Sequence, residues 1–421
     1  MSTTTQARLL RNINFRWLLG GGLVSMLGDQ FSMLALPWLV LSLTNDSLSL
    51  GIAVALMGAP RAVLILFGGT IADRYSPRRV LLLSKYANAA ILLALSGLLM
   101  LDLASVALAY AAALALGIAS AFGIPAGTAI LPQAVPPQVL QTANSLQMGA
   151  RQLSLLAGPL LAALVLGAHD GGQQTGMAAL AAAFAIDALT FLFSAWTLRQ
   201  VSLRPQAAAA AQGMWRDMAA GLAMVWCDMA LRRCYAYWAV VAFFVMGPLQ
   251  VALPVLASER LHGAPALGLL MGAHGAGTLA GMLASSLGGA WLRGRFGATL
   301  LAVDAIVAIL LMALGQIDTA WQGAALLAVT GLLGGDVQVA IFTWIQRRVA
   351  PAMLGRAMAL FMGIFLGLAP LSAAATGALL RHLSVGELFC AGGALLLAAA
   401  IAAALLTDIA RIASTDHVTQ A

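Results

Sequence analysis

The stretch LFGGTIADRYSPRRVLLL, residues 66–83, sets two apolar runs on either side of four charges, Asp73, Arg74, Arg78 and Arg79. The first run extends back to about residue 48 and the second forward to about residue 101. Each reaches the roughly 20 residues that an α-helix needs to cross a bilayer core. The surrounding chain has the same character. Of 421 residues, 62% are hydrophobic and 9% charged, whereas a soluble domain carries about 25% charged residues. So few charges cannot wet a globular surface, and most of the exterior must face lipid. The net charge of +7 then belongs to basic loops beside a membrane and not to nucleic-acid binding.

Twelve apolar segments of span length follow one another, at about 15–43, 48–72, 80–101, 105–131, 144–168, 175–198, 234–257, 265–292, 298–316, 320–346, 352–380 and 385–407. The first follows Arg8, Arg11 and Arg16 and is too long for the core of a signal peptide, so it reads as a span. The fold class expected is all-α integral membrane, with twelve transmembrane helices as two six-helix repeats. Residues 1–200 form the first bundle and 234–421 the second. Residues 201–233 form a linker with a Pro/Ala/Gln tract and an amphipathic helix near Met214–Met229. The three cysteines, Cys227, Cys234 and Cys390, have no metal-ligand or disulfide spacing.

With the N-terminus inside, eighteen basic residues, Lys85 among them, fall on cytoplasmic segments, and the opposite loops hold only Arg260 and Arg381. This bias predicts cytoplasmic N- and C-termini. The halves also repeat. VPPQVLQTANSL (135–146) and VAPAMLGRAMAL (349–360) share V-x-P-x-x-L-x-x-A-x-x-L between the fourth and fifth spans of their halves. Gly68–Gly69 and Gly288–Gly289 precede basic turns after the second span of each half. Six-helix repeats with a site between them are a transporter architecture.

The charged turn resembles the loop signature of the major facilitator superfamily, roughly G-x-x-x-D-R-x-x-[R/K]-[R/K]. Gly69, Asp73, Arg74, Arg78 and Arg79 fill it, with Ser76-Pro77 where many members have a glycine. The resemblance implies a latch on the inward-closed state, with Asp73 docked on the N-terminus of span eleven near Pro351. A carboxylate is favoured beside unpaired helix N–H groups. A plain basic loop is the alternative. Span five is similar to the glycine-rich motif of proton-driven exporters, with Ser145, Ser154, Gly158, Pro159, Ala162 and Ala163 at its positions. Only Gly158-Pro159 is literal, and ordinary packing of small residues is the alternative. NFRWLLGGGLVSMLGDQFS, AIDALTFLFS and LPQAVPPQVLQTANSL resemble the drug:proton antiporter branch that includes macrolide and siderophore exporters.

Ionisable groups at membrane depth cost at least about 2.5–3.5 kcal/mol each and mark function. Asp29, Arg61, Asp187 and Asp336 lie deepest, with Arg151 and Asp304 nearer the cytoplasmic ends. Asp29 and Arg61 lie at similar depths, which predicts an ion pair, fixed or switching on protonation. Asp187 has no basic neighbour in its own span and is either a proton carrier, a contact for a cationic substrate or a polar anchor. His274, among glycines, is a packed histidine or a relay. Asp336 is a cavity candidate. Trp17, Trp215, Trp238 and Trp321 read as interface anchors.

The expected function is a proton-coupled secondary transporter that exports a small amphiphilic molecule, drug-like or siderophore, by alternating access. An importer or lipid flippase, or a non-transporting scaffold or sensor, is the alternative. No Walker motif, nucleophile–base pair or metal-ligand spacing stands out, so neither an ATP-driven pump nor an enzyme is expected. The energy source is the proton motive force with no cofactor. The partners are substrate, protons and lipid, with no nucleic acid. The chain is expected to be a monomer in a bacterial inner membrane.

Overall fold

The computed structural model describes residue 9 and residues 11–167, 176–203, 214–261, 263–286, 295–350 and 353–413, with the side chains of 66–74, 137, 214–218 and 286 outside the description. The apolar runs are helical throughout, because a helix satisfies its own backbone where no water is available. In order they are α1 (Ile13–Thr44), α2 (Ser47–Tyr75), α3 (Pro77–Met100), α4 (Val106–Ala134), α5 (Leu140–Gly167) and α6 (Met177–Arg199). After them come α7 (Met214–Cys227), α8 (Met229–Gly247), α9 (Leu253–Glu259), α10 (Ala264–Ser286), α11 (Phe296–Leu314), α12 (Ala320–Arg348), α13 (Leu354–Leu379) and α14 (Val385–Leu406). Twelve candidate spans result, α8 and α9 forming one, Met229–Glu259. No strand occurs among the described residues.

Most span limits lie within a few residues of the sequence expectation. The seventh span starts earlier, at Met229, because Asp228 caps it. Its carboxylate accepts from the Ala230 and Leu231 amides at 2.9 and 3.1 Å. A π turn, Pro248–Ala252, joins α8 to α9. Next to it the Gly247 amide donates to Ser372 Oγ at 2.8 Å, and the Ser372 hydroxyl donates to the Phe243 carbonyl.

Two compact units are present. One is Met1–Ala211 with His262–Gly272, and the other is Gln212–Leu261 with Ala273–Ala421. Described positions of the repeated motif match in both. Val135 and Val349 are extended, buried residues whose amides close the preceding helices on Leu131 and Ile345. Leu140 and Leu354 begin the next helices, and Ala143 and Ala357 are fully buried. In the first unit, the facing ends of α1, α3, α4, α5 and α6 close on Phe15, Leu81, Ile130, Leu131 and Leu198. In the second, aromatic rings fill the interior. Trp238 meets Phe361 and Trp344 edge-on at 5.2 and 6.1 Å, and Trp344 stacks on Phe296 at 5.1 Å. Trp238, expected at an interface, is 2% exposed and lies in this core, because its ring is surrounded by α12 and α13 side chains. Trp321 is exposed and Trp17 packs on Trp196, while the Trp215 side chain lies outside the description.

α10 and α12 approach backbone to backbone. A Cβ on Gly277 or Gly281 would lie 2.0 Å from the carbonyl oxygens of Ala328 or Leu332. One on Gly331 or Gly335 would lie 2.2 Å from those of His274 or Thr278. Between α2 and α3, Ser76 has φ +81°. This is a conformation that favours glycine, at the place where many superfamily members carry one.

Candidate functional site

Most charged side chains at membrane depth in the first unit converge. Gly28 of α1 makes this possible by letting α6 approach, since a Cβ there would lie 1.9 Å from Thr190 Oγ1 and 2.7 Å from Asp187 Oδ1. Asp187, 1% exposed, accepts hydrogen bonds from Ser32 of α1 and, at 3.3 Å, from Thr190. Asp29, one turn from Ser32, is exposed. Arg61 of α2 is half-buried, with its Nε enclosed and unpartnered.

Lys85 completes the group. The cytoplasmic-loop count above includes it, but α3 begins at Pro77 and carries Lys85 more than two turns into the span. Its ammonium donates to Ser25 Oγ at 3.4 Å and sits 5.6 Å from the centroid of Phe191. It interacts electrostatically with both Asp29 and Asp187. Arg61 interacts electrostatically with Asp29 as well. No ion pair within 4.0 Å joins Asp29 to Arg61 among the described residues. The lysine was legible in one respect: it is the single lysine in a chain with 21 arginines.

The other expected ionisable residues at membrane depth lie on other helices. His274 of α10 lies in the second unit, half-buried, with Nδ1 3.4 Å from the Leu327 carbonyl oxygen. That position belongs to the α10–α12 seam. Asp336 of α12 is half-buried further along the same seam, where its amide lies 3.0 Å from a Cβ built on Gly281. Asp304 of α11 is buried and interacts with the neighbouring Tyr237 hydroxyl. Arg151 of α5 is exposed.

Of the loop signature, the side chains of Gly69, Asp73 and Arg74 lie outside the described residues. Arg78 donates to the Arg199 carbonyl at the end of α6 at 2.6 Å, and Arg79 is exposed. The span-five residues are placed at close contacts. A Cβ on Gly158 would lie 2.2 Å from Gln30 Cγ, while Ser154, Pro159, Ala162 and Ala163 are buried. Ala163 faces Gly268, in the α10 segment that belongs to the first unit. Ser145 is exposed and donates to the Gln141 carbonyl.

The Major Facilitator Superfamily profile matches residues 18–374. The chain is 26% identical over 348 residues to an uncharacterized MFS-type transporter, y4rN, of Sinorhizobium fredii (strain NBRC 101917 / NGR234), covering 82% of each chain. Its fold is similar to that of a D-xylose–proton symporter, with a TM-score of 0.71 and 14% identity, covering 95% of this chain and 98% of the other. It is also similar to that of a point mutant of the nucleoside transporter NupG, with a TM-score of 0.69 and 15% identity, covering 93% and 99%.

Proposed function

The chain belongs to the major facilitator superfamily of secondary transporters, and on that premise we propose that it exports a small amphiphilic molecule in exchange for protons. The observation that carries the proposal is the exposed Asp29 beside Lys85, with Asp187 shielded behind it. A carboxylate that meets both a desolvating interior and a movable cation changes protonation when its surroundings change. Uptake of a proton there weakens the hold on a cationic group, which is the exchange an antiporter performs. Export, and the drug-like or siderophore class, rest on the span-five residues and the branch resemblance.

In this reading the termini are cytoplasmic, because basic residues still crowd one set of loops after Lys85 is removed from the count. The membrane is a bacterial inner membrane and the working unit a monomer. Asp73 latches the inward-closed state. Asp73→Asn then lowers transport and the labelling of outward-facing positions at near-normal protein level. Unchanged labelling with full transport reduces the motif to a topology signal.

The deciding experiment uses purified protein in liposomes with ethidium as a cationic probe. An imposed pH gradient drives the probe against its own gradient. Transport that survives collapse of both the pH gradient and the membrane potential refutes proton coupling. Accumulation in the same direction as proton flow assigns import instead.

A further inference from the structure

The ammonium of Lys85 is held by weak contacts one helical turn from each of two acids. Ser25, which it bonds at 3.4 Å, precedes Asp29 by four residues on α1, and Phe191 follows Asp187 by four on α6. The two helices run in opposite senses, so both contacts lie toward the same end of the unit. The residues it contacts therefore lie about 6 Å along the axis from each acid. No ion pair within 4.0 Å fixes it to either acid among the described residues. The other charged group facing this space is Arg61 on α2, and α4, packed on the far side of α3, carries no acid or base except Tyr110 near its Val106 end.

The residue type fits this position. An arginine's rigid fork would engage one carboxylate through two hydrogen bonds, whereas a lysine is a compact charge on a flexible stem. Every other basic position in this chain is arginine. The acids also differ. Asp187 already accepts from Ser32, with Thr190 as a longer second contact, while Asp29 has the larger accessible surface.

We propose that Lys85 is the positioning residue of the site, its ammonium shared between Asp29 and Asp187 and moving toward Asp187 when Asp29 takes up a proton. Two carboxylates served by one mobile cation then hold one exchangeable proton between them. The proton binds an Asp29 oxygen and leaves from it, and Lys85 stays charged. The proposal rests on the proton-coupled reading above.

Because the chain holds a single lysine, wild-type protein labelled with 13C-lysine gives one side-chain resonance, and that resonance is Lys85. Its Cε shift should follow pH over the interval in which the infrared band of a protonated carboxyl appears. Asp29→Asn and Asp187→Asn should each displace the resonance at fixed pH. A resonance indifferent to either substitution assigns Lys85 to one acid alone and overturns the sharing. One that ignores pH while the carboxyl band grows overturns the movement, and this needs no variant to fold. Lys85→Arg supplies the functional arm. It should keep the melting temperature while losing pH-driven ethidium transport, and full coupled transport by the arginine variant also overturns the proposal. None of the spectroscopic outcomes depends on transport, so the sharing can fail while transport remains proton-driven.

Discussion

The two units share a motif and a helix order but use their interiors differently. The first sets Asp29, Arg61, Lys85 and Asp187 together at mid-span on four helices. The second packs Trp238, Trp344, Phe296 and Phe361 nearer the helix ends and closes α10 on α12 through a glycine seam. Its described ion pairs lie at helix ends. Arg348 holds Asp228 at 2.8 and 3.0 Å, and Asp408 meets Arg233 at 2.5 Å and Arg411 at 3.6 Å. A duplicated scaffold can thus keep its backbone pattern while the side chains buried in its two copies differ.

The largest expected effect tests that division directly. Asp29→Asn should abolish pH-gradient-driven transport in liposomes, while Asp336→Asn should leave most of it. The opposite result would move the chemistry to the second unit. Next comes the seam. Gly335→Val places branched carbon against the Thr278 carbonyl and should destabilise the protein by about 3 kcal/mol, read from denaturant unfolding in detergent. Gly28→Ala adds one carbon against the Thr190 side chain, its Cβ included, so it should cost about 1–2 kcal/mol and impair coupling by disturbing Asp187. If both glycines cost the same, the contrast between a packing seam and a chemical one fails.

Smaller effects lie at the helix ends. Asp228→Ala removes a cap and a two-bond contact to Arg348, for about 2 kcal/mol. Arg233→Ala breaks a more exposed pair and should cost less than about 1 kcal/mol. Smallest is Ser76→Gly. It relieves about 1–2 kcal/mol of backbone strain against about 0.5–1 kcal/mol of added freedom in the unfolded chain. A net gain between about zero and 1.5 kcal/mol follows, visible as a slightly higher melting temperature.

The spans were legible in the sequence because length and hydropathy are one-dimensional properties. Depth was legible for the same reason, and it put Asp29 level with Arg61. Azimuth was not. A helix position gives height, but which neighbour a side chain faces depends on how helices rotate against one another, and that is set by close contacts such as Gly28 on Thr190. Lys85 was missed because it follows Arg78 and Arg79 by a few residues and reads as loop charge. The turn ends at Ser76, so the helix has already risen more than two turns by residue 85. Trp238 shows the same limit: an indole near the start of a span suits an interface or a core equally well until its neighbours are known.

The π turn in the seventh span gives that helix a fulcrum. Its short arm, Leu253–Glu259, and its long arm, Met229–Gly247, meet at five residues wound one residue too wide, pinned to α13 through Ser372. A surplus residue is one tooth of a ratchet. Drawing it back into regular α-helix would turn the short arm by about 100° and shift it by about 1.5 Å along the axis, leaving the pin and the long arm where they are. The amides of residues 249–252 should therefore exchange with deuterium before those of either arm if this turn lets the seventh span re-aim its end without tilting its base.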